Sequence, residues 1–295
     1  MKKPPLIYVL TLVPKNLLSY IIGWLMRIPL LKLVRRPVGG LFVKLFKINM
    51  TEAEHSLDHF RSLEEIFTRS INPSLRPIES SLVSPADGYL AQSRELASAN
   101  MAIQAKGLRY SVGELIFGNE ARVATCPDRF RPHWFVTVYL APHNYHRVHA
   151  PMAGELTRIF YHSGELWPVN PPLVKNLPRL FNRNERLVFE IEVSKDTYYY
   201  VIMVGATNVG RISTPFVENF VSNSARRVFG NGLGLMPKKP KLPEAKKINA
   251  GDELGTFMLG STVVVVFDKA ITKALQLKKL KNTDLPIKMG QTLLI

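Results

Sequence analysis

The sequence predicts an α+β chain, with amphipathic helices first and a mainly antiparallel β-rich domain after them. Two patterns carry that reading. Up to about residue 80 the apolar residues fall at helical steps or in longer greasy runs. From Val83 onward they fall in short β-branched and aromatic runs, punctuated by glycine and proline. Charge separates the same two regions. The net charge of the 295 residues is +16, and Lys2, Lys3, Lys15, Arg27, Lys32, Arg35, Arg36, Lys44 and Lys47 precede the first acidic residue, Glu52. The chain therefore divides into a helical region, 1–80, and a β-rich domain, 81–295.

In the helical region, Leu6–Val13 and Leu17–Met26 are apolar runs split by Pro14-Lys15-Asn16. Neither approaches the roughly 20 residues that span a bilayer. Fusing them would place a lysine near mid-membrane, at roughly 2.5–3.5 kcal/mol on insertion scales. Helices lying in the interface, with their apolar faces among headgroups and their cations on an anionic leaflet, fit better. A cleaved leader lacks a small-residue cleavage site at Pro14-Lys15-Asn16, and a helical hairpin packed on the core is the plainer alternative. The expected location is peripheral, on the cytoplasmic face of the cell membrane.

Ser56–Arg69 carries Leu57, Phe60, Leu63 and Phe67 at three- and four-residue steps and is expected to be one amphipathic helix, stopped by Asn72-Pro73 and Arg76-Pro77. Trp134–Leu140, Leu187–Val193, Thr197–Val204 and Thr262–Phe267 read as strands. Lys238–Lys247, basic and proline-containing, reads as an exposed loop. No fixed-period repeat is present. The single cysteine, Cys126, excludes an internal disulfide framework and a multi-cysteine metal cluster.

Three segments carry chemistry. Leu259-Gly260-Ser261-Thr262 puts a glycine and a serine at the mouth of the valine strand Val263–Val266. Glycine allows backbone conformations closed to other residues, and a rigid strand fixes the serine after it, as an intramolecular attack by a hydroxyl requires. A simple turn is the bland alternative. Ser84-Pro85-Ala86-Asp87-Gly88 sets a carboxylate in a tight turn, where aspartate is also an ordinary turn-former. His143, His146 and His149 fall within seven residues, bracketed by Pro142 and Pro151, so a turn or a short 3₁₀ piece is expected there. Three close histidines can bind zinc, but no fitting acidic or cysteine partner stands nearby.

With Phe67-Thr-Arg69, Ser84–Gly88, Tyr145-His-Arg-Val-His-Ala-Pro151, Asn184-Glu-Arg186, Gly205–Gly210 and Gly251–Thr262 in order, the chain resembles the phosphatidylserine decarboxylase family over roughly residues 60–295. The resemblance implies a proenzyme that cuts itself between Gly260 and Ser261. Ser261 then becomes a covalent pyruvoyl group, and the fragments 1–260 and 261–295 remain as a heterodimer. It implies His149 as the base for Ser261, oriented by Asp87 in the manner of a serine-protease triad. The pyruvoyl carbonyl condenses with the amine of phosphatidylserine and takes up the electrons released with carbon dioxide. His146 supplies the proton that completes phosphatidylethanolamine. His143 and Arg147 have no fixed role, and Arg147 is a candidate for holding a lipid phosphate or carboxylate.

The implied partners are phosphatidylserine and an anionic membrane surface, with no metal and no nucleic acid. Two rivals are an uncut Ser261–His149–Asp87 hydrolase of lipid esters and a basic adaptor without chemistry. The β region lacks the clustered aromatic and basic residues of a nucleic-acid binder.

Overall fold

A computed structural model of the uncut chain describes residues 12–97, 100–105, 108–119, 131–207, 211–222, 244–258, 261–277, 279 and 284–293. Most of the Leu6–Val13 run, Cys126, Asn208–Gly210, Leu259 and Gly260 lie outside these residues, as does Lys238–Pro243 of the expected basic loop.

Two helices open the described chain, α1 (Lys15–Met26) and α2 (Lys32–Phe46). Each turns one face inward: Ser19, Gly23 and Met26 from α1, and Gly39 and Phe42 from α2, are buried. Gly39 allows close packing there: a Cβ would meet the Ile66 side chain at 3.1 Å and Leu57 at 3.3 Å, so those side chains would have to shift by a few tenths of an ångström. The start of α1 is tied to the β domain, with Lys15 Nζ 4.0 Å from the centre of the Trp167 ring and Asn16 Nδ2 donating to the Gly164 carbonyl at 3.2 Å. No helix among the described residues is long and apolar enough to cross a membrane.

The helix expected over Ser56–Arg69 is broken in two. A 3₁₀ turn covers Leu57–His59 and α3 covers Leu63–Phe67, with Phe60 extended between them. Two hydrogen bonds explain the break. The Arg61 carbonyl accepts from Leu30 N at 2.7 Å, and the Ser62 side chain caps α3 by accepting from Glu65 N at 3.2 Å. Capping and a tertiary contact together override the continuous apolar period.

The β domain is built on an eight-stranded sheet in the order β10-β6-β7-β8-β12-β4-β1-β13. Its strands are β1 (Gly88–Glu95), β4 (Pro132–Leu140), β6 (Gly154–His162), β7 (Arg186–Ser194), β8 (Thr197–Val204), β10 (Lys246–Ile248), β12 (Ser261–Asp268) and β13 (Leu285–Ile287). Every pairing in it is antiparallel. A second sheet holds β5 (Arg147–His149), β11 (Glu253–Phe257) and β9 (Ile212–Ser213), and β2 (Met101–Ala105) pairs with β3 (Leu108–Ser111). The expected α+β class and all four expected strands are borne out. Lys246 and Lys247 depart from the expected loop: they are exposed, but on the edge strand β10 beside β6.

β12 is the spine of the large sheet. All eight of its residues are buried, and it lies between β4 and β8, with Val263 opposite both Val138 and Met203 and Val265 opposite both Val136 and Val201. A strand covered on both faces needs no polar alternation, which accounts for the unbroken valine run. Phe267 closes it, opposite Trp134 and Tyr199, with its ring 6.2 Å from that of Tyr199. Phe267→Ala is expected to destabilise the fold by about 3–5 kcal/mol. Urea unfolding of the variant in a Ser261→Ala background, where a single uncut chain is expected, measures it.

Candidate active site

Ser261 is the first residue of β12, paired with Leu140 of β4, while its neighbour Thr262 pairs with Val204 at the end of β8. The segment leaving β8 is fixed from behind, because Asn184 Nδ2 donates to the carbonyls of both Gly205 and Trp167 at 2.8 Å. The Thr207 hydroxyl donates to the Leu166 carbonyl. Ser261 itself is fully buried, and its Oγ has no hydrogen-bond partner among the described residues. An orphaned buried hydroxyl costs about 1–3 kcal/mol, which a merely structural serine at a turn would avoid.

The turn after β4 brings the histidines to the same end of the sheet. β4 passes Ser261 at Leu140, the chain turns through residues 141–146, and β5 then pairs with β11, Arg147 opposite Thr256. The His146 carbonyl accepts from Phe257 N at 3.0 Å. The turn therefore joins the strand beside Ser261 to the strand that leads toward it. His143 and His146 lie in this turn and His149 ends β5, so the three do not share a helical face.

The hydrogen bonds fix the tautomer of both inner histidines, since a carbonyl can only accept. His146 Nδ1 donates to the Asn144 carbonyl at 2.9 Å, and its ring packs on Phe67 with centroids 4.1 Å apart. Its Nε2 is left as a buried lone pair without a partner. Burial pushes the His146 pKa down to about 3, so the ring is neutral at physiological pH. His149 Nδ1 donates to the Gly251 carbonyl at 2.7 Å, and its Nε2 accepts from the Tyr145 hydroxyl at 3.0 Å. Burial holds this ring below its usual value too, against the opposing pull of the Gly251 carbonyl and Glu253.

Asp87 departs from the expected triad geometry. Its turn does dock on β5, through the bond from His149 N to the Pro85 carbonyl at 2.8 Å. Gly88 has to be glycine there, because a Cβ would lie 2.3 Å from the Tyr139 carbonyl oxygen. The Asp87 carboxylate, however, accepts from Arg76 Nε at 2.9 Å, Arg76 Nη2 at 2.6 Å and Met289 N at 2.8 Å. A guanidinium is a permanently charged, forked donor and holds a buried carboxylate better than a neutral imidazole does. Asp87 consequently reaches His149 through its field, and His149 makes its hydrogen bonds to Gly251 and Tyr145.

Arg147 is engaged through Nη1 with Glu253 Oε2 and through Nε with the Thr68 carbonyl, each at 3.1 Å. Arg76 and Tyr145 were not singled out from the sequence as partners of the site. Arg76 stands before Pro77 and signals only a turn, and Tyr145 is one residue in a histidine-rich stretch. Among the described residues, no group of three His, Cys, Asp or Glu is placed to hold a metal ion.

This geometry can be set beside known proteins. The family model for phosphatidylserine decarboxylase matches residues 63–295, from α3 through the end of the β domain. The chain belongs to the phosphatidylserine decarboxylase family. As a member it is a carboxy-lyase. Among its relatives, the phosphatidylserine decarboxylase proenzyme of Myxococcus xanthus is 36% identical over 258 residues, 86% of each chain. The proenzymes of Shewanella loihica and Shewanella amazonensis are each 37% identical, over 88% of this chain and 87% of theirs. The matched region contains Asp87, His146, His149 and Ser261 together.

The neutral His146 has a consequence for stability. The unfolded chain takes up a proton on this ring below about pH 6.5, whereas the folded chain does not until near pH 3. The stability contributed by burying it is full above pH 6.5 and is lost as pH falls through that window. Between pH 7 and pH 5 the loss from His146 amounts to about 2 kcal/mol. Urea midpoints of the Ser261→Ala chain should fall over this range, and His146→Gln should flatten that slope.

Proposed function

We propose that this chain is a phosphatidylserine decarboxylase proenzyme that cuts itself between Gly260 and Ser261 and then works on a membrane surface. The observation that carries the reading is Ser261 Oγ, fully buried at the mouth of β12 and without a hydrogen-bond partner among the described residues. A nucleophile held by a rigid strand has little orientational freedom left to lose.

In the proposed maturation, Ser261 Oγ attacks the Gly260 carbonyl carbon, and the C–N bond breaks as an ester forms. His149 takes the hydroxyl proton, by way of the Tyr145 hydroxyl that already occupies its Nε2, and returns it to the Ser261 nitrogen as that nitrogen departs. Elimination then takes the Ser261 α-proton to a base and breaks the Cβ–O bond, which returns Gly260 as a carboxylate. Hydrolysis of the new end of the downstream piece releases ammonia and leaves a pyruvoyl group. Ser261 fits this origin, since its surroundings satisfy nothing on the hydroxyl that the conversion would remove. When present, the group supplies a carbonyl able to condense with the substrate amine and to accept electrons as carbon dioxide departs. The chain's own contribution to turnover is proton handling and exclusion of water. The bare Nε2 of His146, buried against Phe67, is a site that can take up a proton and return it to the α-carbon.

The two products should form a heterodimer, because the cut frees only the start of β12. The rest of that strand stays paired with β4 and β8, and β13 of the same piece pairs with β1.

The membrane reading rests on α1 and α2. Most of the large exposed hydrophobic side chains among the described residues lie between Leu12 and Phe46, including Trp24, Leu31, Leu33, Leu41 and Leu45. Lys32, Arg35, Arg36, Lys44 and Lys47 rim them. Such a face suits burial among headgroups of the anionic cytoplasmic leaflet. Behind it lies an apolar cavity of about 510 Å³, lined by Ile22, Met26, Phe42, Tyr139 and Ala206. Tyr139 pairs with Thr262, so the cavity adjoins the Ser261 end of β12. A lipid lifted partway out of a membrane would enter there.

Intact mass spectrometry tests the central claim. Denatured protein should separate into 1–260 and a carbonyl-bearing piece made from 261–295, whereas Ser261→Ala should give one uncut mass. The wild-type pieces should co-elute on a native column and part only in denaturant. A single full-length mass in protein that decarboxylates phosphatidylserine overturns the proposal. For the membrane face, Leu31→Glu, Leu33→Glu and Leu45→Glu together should reduce sedimentation with phosphatidylglycerol-containing vesicles at least tenfold while leaving self-cleavage intact.

A further inference from the structure

A second cavity, of about 460 Å³, opens beside the site and is lined in part by Lys47, Arg69, Asp87, His143, Tyr145 and Lys288. Arg69 is 2% exposed, yet its Nε and Nη1 have no hydrogen-bond partner, and its Nη2 only approaches the His143 carbonyl at 3.5 Å. A buried guanidinium with unmade hydrogen bonds is unfavourable, even in the field of Asp87 and Glu52. Both carboxylates of the cavity are already spoken for. Glu52 takes Arg76 and Lys288 at 2.8 Å each, and Asp87 takes Arg76 and the Met289 amide. Lys47, exposed at the C-terminal cap of α2, adds a second cation at the membrane-facing side.

The placement of Arg69 is set by its neighbours. Phe67 packs on His146, the Thr68 carbonyl accepts from Arg147, and Arg69 reaches toward His143. Three successive residues thus lie along the turn and the start of β5, and the third is left with free donors.

We infer that Arg69, with Lys47, forms an oxyanion subsite that holds the phosphodiester of the lipid headgroup beside the catalytic turn. This deepens the proposed decarboxylase reading and rests on it for the identity of the lipid. The headgroup of phosphatidylserine carries two anions, and energetics choose between them. The carboxylate loses its charge as carbon dioxide leaves, so a guanidinium gripping it would stabilise the ground state more than the transition state and slow the reaction. The phosphodiester keeps its charge throughout. Holding it anchors substrate and product alike, without penalty to the chemical step.

The test uses soluble probes and the uncut Ser261→Ala chain, followed by calorimetric titration. Glycerophosphoethanolamine and glycerophosphoserine should bind with affinities within about threefold of each other, and free serine should not compete. Arg69→Gln should weaken both by about 10–100-fold, as expected for charge-assisted hydrogen bonds. Lys47→Gln, at an exposed position that tolerates change, should weaken both by about threefold or more and reduce the salt dependence. It keeps the proposal testable if Arg69→Gln fails to fold.

In cut wild-type protein, Arg69→Lys should raise KM for phosphatidylserine more than it lowers kcat. Inorganic phosphate binding as tightly as the headgroup probes would assign the cavity to free phosphate and overturn the lipid assignment. Competition by free serine, or binding indifferent to both substitutions, would overturn it equally. Binding by the Ser261→Ala chain needs neither cutting nor turnover. Probe binding that follows Arg69 in a wild-type chain that never cuts would defeat the decarboxylase reading and leave an anion site standing. Normal cutting and turnover with probe binding blind to Arg69 and Lys47 would defeat the subsite alone.

Discussion

Strand β12 is held by two antiparallel ladders, to β4 along its whole length and to β8 from Thr262 to Phe267, and every one of its residues is buried. Its position is therefore among the most strongly determined in the molecule, and Ser261 inherits that determination as the first residue. The same ladders align the surroundings. β4 carries the chain past Ser261 into the histidine turn, and β8 delivers Gly205 and Ala206 to the other side. A one-residue slip of this strand would turn each of its side chains to the opposite face.

The strands were legible because their physics is local and one-dimensional. Runs such as Thr197–Val204 and Val263–Val266 announce burial on both faces, and the structure places them at the centre of the sheet. The helix over Ser56–Arg69 was legible as apolar spacing, but not as two pieces. The bond that breaks it, from Leu30 N to the Arg61 carbonyl, joins residues distant in sequence. The same limit applies at the site. The motif residues converge at one end of the sheet, yet which polar group each one touches depends on residues that no motif names. Arg76 takes the Asp87 carboxylate, Tyr145 takes the His149 lone pair, and Arg69 has donors to spare. A sequence shows that an arginine is present and stays silent on whether it has a partner.

The helical region is more than an attachment to the β domain. Met26, Phe42, Phe60, Ile66 and Phe67 belong to the same buried cluster as the sheet residues. Arg211 pairs with Glu64 at 3.0 Å, and Phe67 touches His146 directly. The outward face of α1 and α2 and the inward face of α3 are thus mechanically continuous.

The two borders of the large sheet are both clipped short. One border is β10, only three residues long with two exposed lysines, and the other is β13, equally short and interrupted by Pro286. Neither offers the long, flat, unpaired row of amides on which a second molecule could extend the sheet. A sheet with such clipped ends gives a second copy little template for fibre growth.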